Sequence, residues 1–141
     1  MQLEKKFDVA CARDTAVQVA SRDETLTHLF PEARTEVSRG TDGRRTAVTH
    51  YTALGQSGTA TFHFDQDSDG DLHFEKVCDG KVWRQLSGSL RFRAKRKGTR
   101  VVISMEGRTR SLVPEFTIKG PMQEQLDEMA SGLCKLLEAE V

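Results

Sequence analysis

The feature that most constrains the fold is a series of short runs, rich in Thr, Val and aromatic residues, that turn signals separate from one another. The turns are Thr41-Asp42-Gly43, Gly55-Gln56-Ser57-Gly58, Asp67-Ser68-Asp69-Gly70, Asp79-Gly80 and Lys97-Gly98. They predict strands near residues 33–40, 44–54, 58–65, 71–79, 81–97 and 99–110. An alternation of apolar and polar residues over 2–10 predicts one more strand before them. Because tight turns join most of these strands, we expect an antiparallel meander.

The run 81–97 contains a conflict of side-chain parity. Leu86, Leu90 and Phe92 share one face of an ideal strand, whereas Trp83 falls on the other. A β-bulge inserts one extra residue and reverses the parity beyond it. We therefore predict a bulge at Ser87-Gly88-Ser89, which would bend the strand and bring Trp83 onto the apolar face.

Two short helices are predicted between the first strand and the meander. They span 11–20 and 22–30. Ser21 is the expected N-cap of the second helix, with Glu24 three residues later, and Pro31 is its expected end.

A longer helix is predicted at the C-terminal end of the sequence. It follows a loop at 111–119 and begins at Gly120-Pro121, because proline is favoured in a first helical turn. Its apolar residues recur at helical spacing: Met122, Leu126, Met129, Ala130, Leu133 and Leu137. The apolar face of the sheet and this apolar stripe need each other as packing partners. The sequence therefore predicts an α+β fold in which a curved antiparallel sheet of about seven strands wraps around the helix, with 1–141 forming a single domain.

Composition agrees with an autonomously folding domain. Hydrophobic residues make up 37% of the chain and charged residues 30%, which is ordinary for globular proteins. No signal-peptide pattern is present, and no apolar run approaches the ~18 residues of a membrane span, so we expect a cytoplasmic protein. Cys11, Cys78 and Cys134 form no C-x-x-C pair. We expect buried or partly buried thiols and neither a disulfide framework nor a zinc site.

The order of elements resembles that of the START-like, or SRPBCC, superfamily. So does the run Leu26-Thr27-His28-Leu29-Phe30-Pro31 at the end of the second short helix. Polyketide cyclases, coenzyme Q-binding proteins and birch-pollen-type allergens belong to this superfamily. The resemblance covers essentially the whole chain and implies a helix-grip fold. It also implies a cavity for apolar molecules such as lipids, isoprenoid quinones or polyketides, although some members serve as protein-interaction modules.

Apolar residues that face each other across sheet and helix are the candidate ligand-binding residues. They are Phe62, Phe64, Phe74, Leu86, Leu90, Phe92, Ile103, Met105, Met122, Leu126, Met129 and Leu133. Flexible methionines and the inferred curvature favour a cavity, and a solid core of normal density is the alternative. No cofactor is expected. The leading hypothesis is non-catalytic binding or carriage of an apolar or amphipathic small molecule, such as a lipid, a quinone or a polyketide-like compound.

A basic segment supports a second hypothesis. From Arg84 to Arg110 there are nine Lys or Arg residues and one acidic residue, Glu106. Those expected on the outer sheet face are Arg91, Arg93, Lys95, Lys97, Arg100 and Arg108, together with Arg110. Such a stripe suits an acidic protein, RNA or an anionic membrane surface, and it also protects a solvated sheet face from edge-to-edge pairing. No DNA partner is expected.

No catalytic motif is recognisable in the sequence. It contains no G-x-S-x-G, H-E-x-x-H, Walker or dinucleotide-binding pattern, so no catalytic residue is predicted. A cyclase-like enzyme that works mainly by shaping its substrate is a further alternative.

Acidic and histidine residues are the candidate metal ligands of the sequence. Residues 65–71 place oxygen ligands at alternate positions, as in the first half of an EF-hand loop, but Lys76 stands where a bidentate glutamate would be needed. A solvated acidic turn is therefore favoured, and no metal is predicted. Strand parity directs His63 and His73 outward and His50 inward, and a hydrogen-bonded structural role is favoured for His50.

Overall fold

The computed structural model describes residues 1–30, 33–53 and 56–141. In chain order, its elements are β1 (Gln2–Val9), α1 (Arg13–Ala20), α2 (Asp23–His28), β2 (Arg34–Arg39), β3 (Arg45–Ala53), β4 (Gln56–Gln66), β5 (Leu72–Lys76), β6 (Trp83–Lys95), β7 (Gly98–Thr109) and α3 (Glu115–Glu138). The seven strands form one sheet in the order β1-β7-β6-β5-β4-β3-β2, and all neighbouring strands are antiparallel. The predicted α+β helix-grip architecture is confirmed.

Helix α3 packs on one face of the sheet through its apolar stripe. All six predicted stripe residues are buried: Met122, Leu126, Met129, Ala130, Leu133 and Leu137. Burying a Leu or Met side chain contributes roughly 1.5–3 kcal/mol, so this stripe is the main attachment of α3 to the sheet. Within the described ranges, no helix is both long enough and apolar enough to cross a membrane.

Strand β6 contains an irregularity, but not at the predicted place. Its register with β7 shifts between Trp83 and Gln85, whereas residues 87–89 pair regularly with residues 104–106. The predicted bulge at Ser87-Gly88-Ser89 is therefore wrong. Trp83 nevertheless lies on the apolar face as expected, because it is 6% exposed and belongs to the core.

Gly88 allows close packing instead of forming a bulge. A Cβ atom at this position would lie 2.4 Å from the Phe74 ring and 2.4 Å from the Ser104 carbonyl oxygen. Both distances are far below van der Waals contact, so only glycine lets β5, β6 and β7 approach as they do.

Helix α3 begins earlier than predicted. Its first residue is Glu115 and its N-cap is Pro114, so Pro121 lies inside the helix and not in its first turn. The N–H and the Oγ1 of Thr117 both donate to the Pro114 carbonyl, at 3.1 and 2.6 Å. The expected loop at 111–119 therefore ends at Pro114. The error arises because the sequence offers two prolines, each suited to a helix start, and the earlier one is used.

The two short helices are α1 and α2, with bounds shorter than predicted. Ser21 is not the N-cap of α2, because Arg22 occupies that position. Ser21 is the C-cap of α1, and its Oγ donates to the Gln18 carbonyl at 2.6 Å. The expected helix end at Pro31, the expected strand end at Leu54 and the turn residue Gly55 lie outside the described residues.

The three cysteines are thiols. Cys11 is buried and Cys78 and Cys134 are partly buried. Burial is the main cause that raises the pKa of the Cys11 and Cys134 thiols. Both are therefore kept protonated and weakly nucleophilic at neutral pH.

The two ends of the sheet differ in character. At one end, which we call the closed end, α1 and α2 cover the strand termini. There Arg13 Nε donates to the Phe92 carbonyl at 2.9 Å, and buried Arg45 donates to the carbonyls of Ala20 and Ser21 at 3.0 and 3.1 Å. At the opposite end, which we call the open end, β1, β2, β4 and β6 begin, β3, β5 and β7 finish, and α3 starts.

Candidate functional site

A cavity of about 350 Å³ lies at the open end, between the inner face of the sheet and the first half of α3. Leu29, Phe30 and Ala33, which lie between α2 and β2, line one side of it. Its described lining residues are Leu29, Phe30, Ala33, Thr49, Tyr51, Ala60, Phe62, Lys76, Trp83, Leu86, Pro121, Met122, Glu124, Gln125 and Glu128. The cavity is continuous with solvent, so a ligand can enter without a rearrangement of the core.

Aromatic side chains form much of the apolar wall. The rings of Phe30 and Phe62 are stacked with their centroids 5.1 Å apart. Trp83 forms another part of the wall and packs so closely on Gly107 that a Cβ atom there would lie 2.5 Å from the indole ring. Such rings present large, rigid apolar surfaces to a bound molecule.

Polar side chains surround the same space. On the sheet, Thr49 is buried, with its Oγ1 3.4 Å from Thr35 Oγ1, and Tyr51 is 43% exposed. Lys76 has the same strand parity as buried Phe74 and therefore belongs to the inner face. From α3, the polar residues Glu124, Gln125 and Glu128 line the cavity. The cavity can therefore receive an apolar body together with a polar group.

Behind the cavity the space is nearly filled. A remaining gap of about 10 Å³ is lined by Phe30, Phe62, Phe74, Leu86, Met105, Met122, Gln125 and Met129. A gap of this size holds at most about one water molecule. The cavity therefore ends where Phe74, Met105 and Met129 meet.

The predicted ligand-binding residues divide into three groups. Phe62, Leu86 and Met122 line the open cavity. Phe74, Met105 and Met129 line the narrow gap behind it. The other six pack in the core beyond the gap and are 0–1% exposed: Phe64, Leu90, Phe92, Ile103, Leu126 and Leu133. Contact of a ligand with any of the twelve stays a prediction.

Twelve of the lining residues were missed from the sequence. They are Leu29, Phe30, Ala33, Thr49, Tyr51, Ala60, Lys76, Trp83, Pro121, Glu124, Gln125 and Glu128. The strand pairing places two of them on the inner face. Tyr51 pairs with Gly58 and Thr49 with Ala60, and Gly58 and Ala60 have the same strand parity as Phe62. Lys76 lies two residues after Phe74 and therefore shares its face, but its charge gives no indication of an inner position in the sequence.

The inward orientation expected for His50 is wrong. Buried Arg45, Ala47 and Thr49 form the inner face of β3, so His50 has the opposite parity. Its Nε2 lies 3.8 Å from Glu36 Oε1 on the neighbouring strand. His50 is thus outside the cavity.

Carboxylates of the acidic turn, residues 65–71, form ion pairs and hydrogen bonds within the protein. Asp65 pairs with Arg44 at 3.1 Å. Asp67 Oδ2 lies 2.8 Å from His73 Nε2, and its Oδ1 accepts the N–H groups of Asp69 and Asp71. These hydrogen bonds, that of His73 foremost, hold the pKa of Asp67 below its usual value. Within the described part of the chain, no cluster of three or more candidate ligands is placed to hold a metal ion.

The basic stripe lies on the outer sheet face, and some of its charge is paired. Arg93 Nη1 lies 3.2 Å from Asp71 Oδ2, and Arg100 Nε lies 2.9 Å from Asp8 Oδ1. The hydrogen bond from Arg100 lowers the pKa of Asp8. The remaining members of the predicted set, Arg91, Lys95, Lys97 and Arg108, are exposed. A binding role for the stripe stays a prediction.

Comparison with known proteins supports the fold. No protein-family model matches the sequence, and no curated protein matches it. A START superfamily protein from Mycobacterium smegmatis is 18% identical with a TM-score of 0.78, and 99% of each chain is covered. The Zhui aromatase/cyclase from Streptomyces sp. R1128 is 15% identical with a TM-score of 0.76, covering 99% of this chain and 92% of its own. A STAR-related lipid transfer protein from Xanthomonas axonopodis is 18% identical with a TM-score of 0.66, covering 96% and 85%.

These identities are low, but the similarity extends over nearly all of the chain. Similarity of this kind defines an architecture and does not define an activity. The chain therefore has the helix-grip fold of START-like proteins.

Proposed function

We propose that the protein binds, and carries without catalysis, an apolar or amphipathic small molecule in the cavity at the open end. The observation that carries this proposal is the cavity itself. Its volume of about 350 Å³ falls within the roughly 300–1,000 Å³ range of small-molecule sites. The names of the structural neighbours, a lipid transfer protein and an aromatase/cyclase, agree with a ligand of the lipid, quinone or polyketide type.

The distribution of polarity supports an orientation for the ligand. An apolar or ring-containing body would pack against Phe30, Phe62 and Trp83, where stacking and dispersion are strongest. A polar end would then meet Tyr51 or Lys76, close to solvent. This arrangement keeps polar groups of the ligand hydrogen-bonded, which avoids the cost of burying them unpaired.

The lining supplies shape and a small number of polar groups. Its described members include no serine, cysteine, histidine or aspartate, and its groups able to exchange a proton are Tyr51, Lys76, Glu124 and Glu128. The glutamates come from α3 at the solvent side. The lining thus offers shape and a few hydrogen-bonding groups.

An occluding substitution tests the proposal. Ala60→Phe places a phenyl ring in the cavity, because Ala60 lines it. Thr59→Phe is the matched control, since Thr59 is exposed on the opposite face of the same strand. Both variants introduce the same phenyl ring at adjacent residues of β4.

Binding would be measured by titrating a long-chain fatty acid, a short-chain quinone and a planar polyphenol, with the fluorescence of Trp83 as the signal. We expect wild type and Thr59→Phe to bind at least one of these probes equally, and Ala60→Phe to bind it at least roughly tenfold more weakly. Circular dichroism checks that both variants are folded. Equal binding by Ala60→Phe, or no binding of any probe by the wild type, would refute the proposal.

A further inference from the structure

Exposed apolar side chains are concentrated at the open end. Phe116 is 82% exposed, Leu112 79%, Val77 52% and Val82 39%. We call these four residues the apolar rim. Large apolar side chains with this exposure are ordinary when scattered singly, but a group of them marks an interaction site.

Hydrogen bonds hold the segments of the apolar rim close together. The N–H of Arg110 donates to the carbonyl of Val82 at 3.0 Å, and the N–H of Val113 donates to the carbonyl of Arg110 at 2.9 Å. Leu112 therefore lies in a turn directly beside Val82. Phe116 follows in the first turn of α3, and Val77 directly follows β5 at the same end of the sheet.

Basic residues accompany the apolar rim. Lys81, Arg84, Arg110 and Lys119 are all exposed, and we call them the rim cations. The same segments contain two acidic residues: Asp79, whose Oδ1 accepts the N–H of Lys81 at 2.9 Å, and Glu115, whose Oε2 lies 3.5 Å from the N-terminal ammonium. The segments that hold the apolar rim therefore carry four basic residues against two acidic ones, while Glu124 and Glu128 line the cavity on the α3 side of the open end.

We propose that the open end docks onto the surface of an anionic membrane. The side chains of the apolar rim enter the boundary between headgroups and acyl chains, and the rim cations meet lipid phosphates. Apolar insertion and attraction to anionic lipid together are the two components of peripheral membrane binding. This surface requires no ligand in the cavity, so the inference goes beyond the proposed function.

A membrane fits this surface better than a second copy of the chain does. A two-fold symmetric contact through the open end would bring the same cations against one another, whereas an anionic bilayer supplies opposite charge. The apolar rim also consists of separate side chains on two loops and a helix start. Such protrusions suit insertion into a fluid interface better than a flat protein contact, which requires about 800 Å² of complementary surface on each partner.

Docking in this manner would turn the mouth of the cavity toward the bilayer. Trp83 directly follows Val82 of the apolar rim and also lines the cavity. Its indole is therefore a reporter at the proposed contact. Lipids brominated on their acyl chains should quench the fluorescence of the bound protein.

Co-sedimentation with vesicles tests the inference. We expect binding to vesicles of phosphatidylcholine with phosphatidylglycerol and little binding to phosphatidylcholine alone. Arg84→Gln with Arg110→Gln should weaken binding about 25-fold, from about fivefold for each basic residue. The matched control, Arg91→Gln with Lys95→Gln, removes the same charge from the outer sheet face and should stay within about twofold of the wild type.

A second variant tests the apolar component. Leu112→Ser with Phe116→Ser keeps the charge and should also weaken vesicle binding by at least roughly tenfold. Both side chains are mostly exposed, so the fold should persist, as circular dichroism would verify. The Ala60→Phe protein should bind vesicles like the wild type, which separates failure of docking from failure of the cavity.

Three results would overturn the inference. The first is no binding of the wild type to phosphatidylglycerol vesicles. The second is equal loss of binding in the rim-cation variant and the outer-face control, which would mean that general charge and not the open end is responsible. The third is binding without quenching of Trp83 by brominated lipid, which would mean that another face contacts the bilayer.

Discussion

Replacing Met129 with alanine should extend the cavity into the core. Met129 is 1% exposed and lines the gap of about 10 Å³ behind the cavity. Five residues that line this gap also line the cavity: Phe30, Phe62, Leu86, Met122 and Gln125. Removing the methionine side chain should therefore join the two spaces.

The magnitude follows from the volume removed. Truncation to alanine deletes about 70 Å³, which at about 24 cal/mol per Å³ gives roughly 1.7 kcal/mol for the cavity. The lost transfer free energy adds a similar amount, so we expect the free energy of unfolding to fall by about 3 kcal/mol. Leu90→Ala should cost about the same, because Leu90 is also 1% exposed. The space that it leaves lies deeper in the core and does not join the cavity.

Urea unfolding followed by circular dichroism measures the stability, and titration with fatty acids of increasing length measures the cavity. In Met129→Ala, a chain longer by about two methylenes should gain up to about tenfold in affinity. Leu90→Ala should show the loss of stability without this change in preference. The reasoning fails if both variants shift the preference equally, or if Met129→Ala costs less than about 1 kcal/mol, since the core around it would then not be close-packed.

Two further predictions concern the closed end and the acidic turn. Arg45→Met should destabilise the fold by about 2–4 kcal/mol, because the Ala20 carbonyl loses its Arg45 donor and the Ser21 carbonyl keeps only Arg39 Nη2 at 3.3 Å. Arg39→Met removes a mostly exposed guanidinium and leaves both carbonyls bound to Arg45, so it should cost at most about 1 kcal/mol in the same urea experiment. The pKa of Asp67 is lowered in the folded protein, so its contribution to stability is present above about pH 4 and is lost as the pH falls through the folded pKa. Asp67→Asn should therefore lose less stability than the wild type over that acid range, and a parallel loss in both proteins would contradict the assignment.

The strand pattern could be predicted because local chemistry determines it. The turn Asp67-Ser68-Asp69-Gly70 lies between β4 and β5, and the Lys97-Gly98 turn falls at the junction of β6 and β7, where Gly98 is already the first residue of β7. Where two positions suit a helix start equally well, the sequence alone does not identify the one that is used. Proline is compatible with a helix start at both Pro114 and Pro121, and the structure uses Pro114.

The cavity could be predicted only in part, because it depends on where packing ends and not on which residues are apolar. Phe92 and Phe62 are equally apolar in sequence, but α1 covers the closed end near Phe92, whereas Phe62 faces the uncovered space. The face of β3 was assigned wrongly for a similar reason. His50 and Thr49 are both polar, and only the pairing of β3 with β4 places Thr49 beside the apolar side chains.

Ion pairs reduce the positive charge that the basic stripe on the outer sheet face can offer to a partner. Arg93 and Arg100 of the stripe are held by Asp71 and Asp8, and these pairs would have to be broken or shared before either arginine met a phosphate. A partner gains less from a cation that already has a carboxylate, since the first interaction must be replaced. Four other members of the stripe, Arg91, Lys95, Lys97 and Arg108, are exposed, so charge alone does not distinguish the stripe from the rim cations. The open end is the stronger candidate because it combines its cations with the four exposed side chains of the apolar rim, and peripheral membrane binding needs both components.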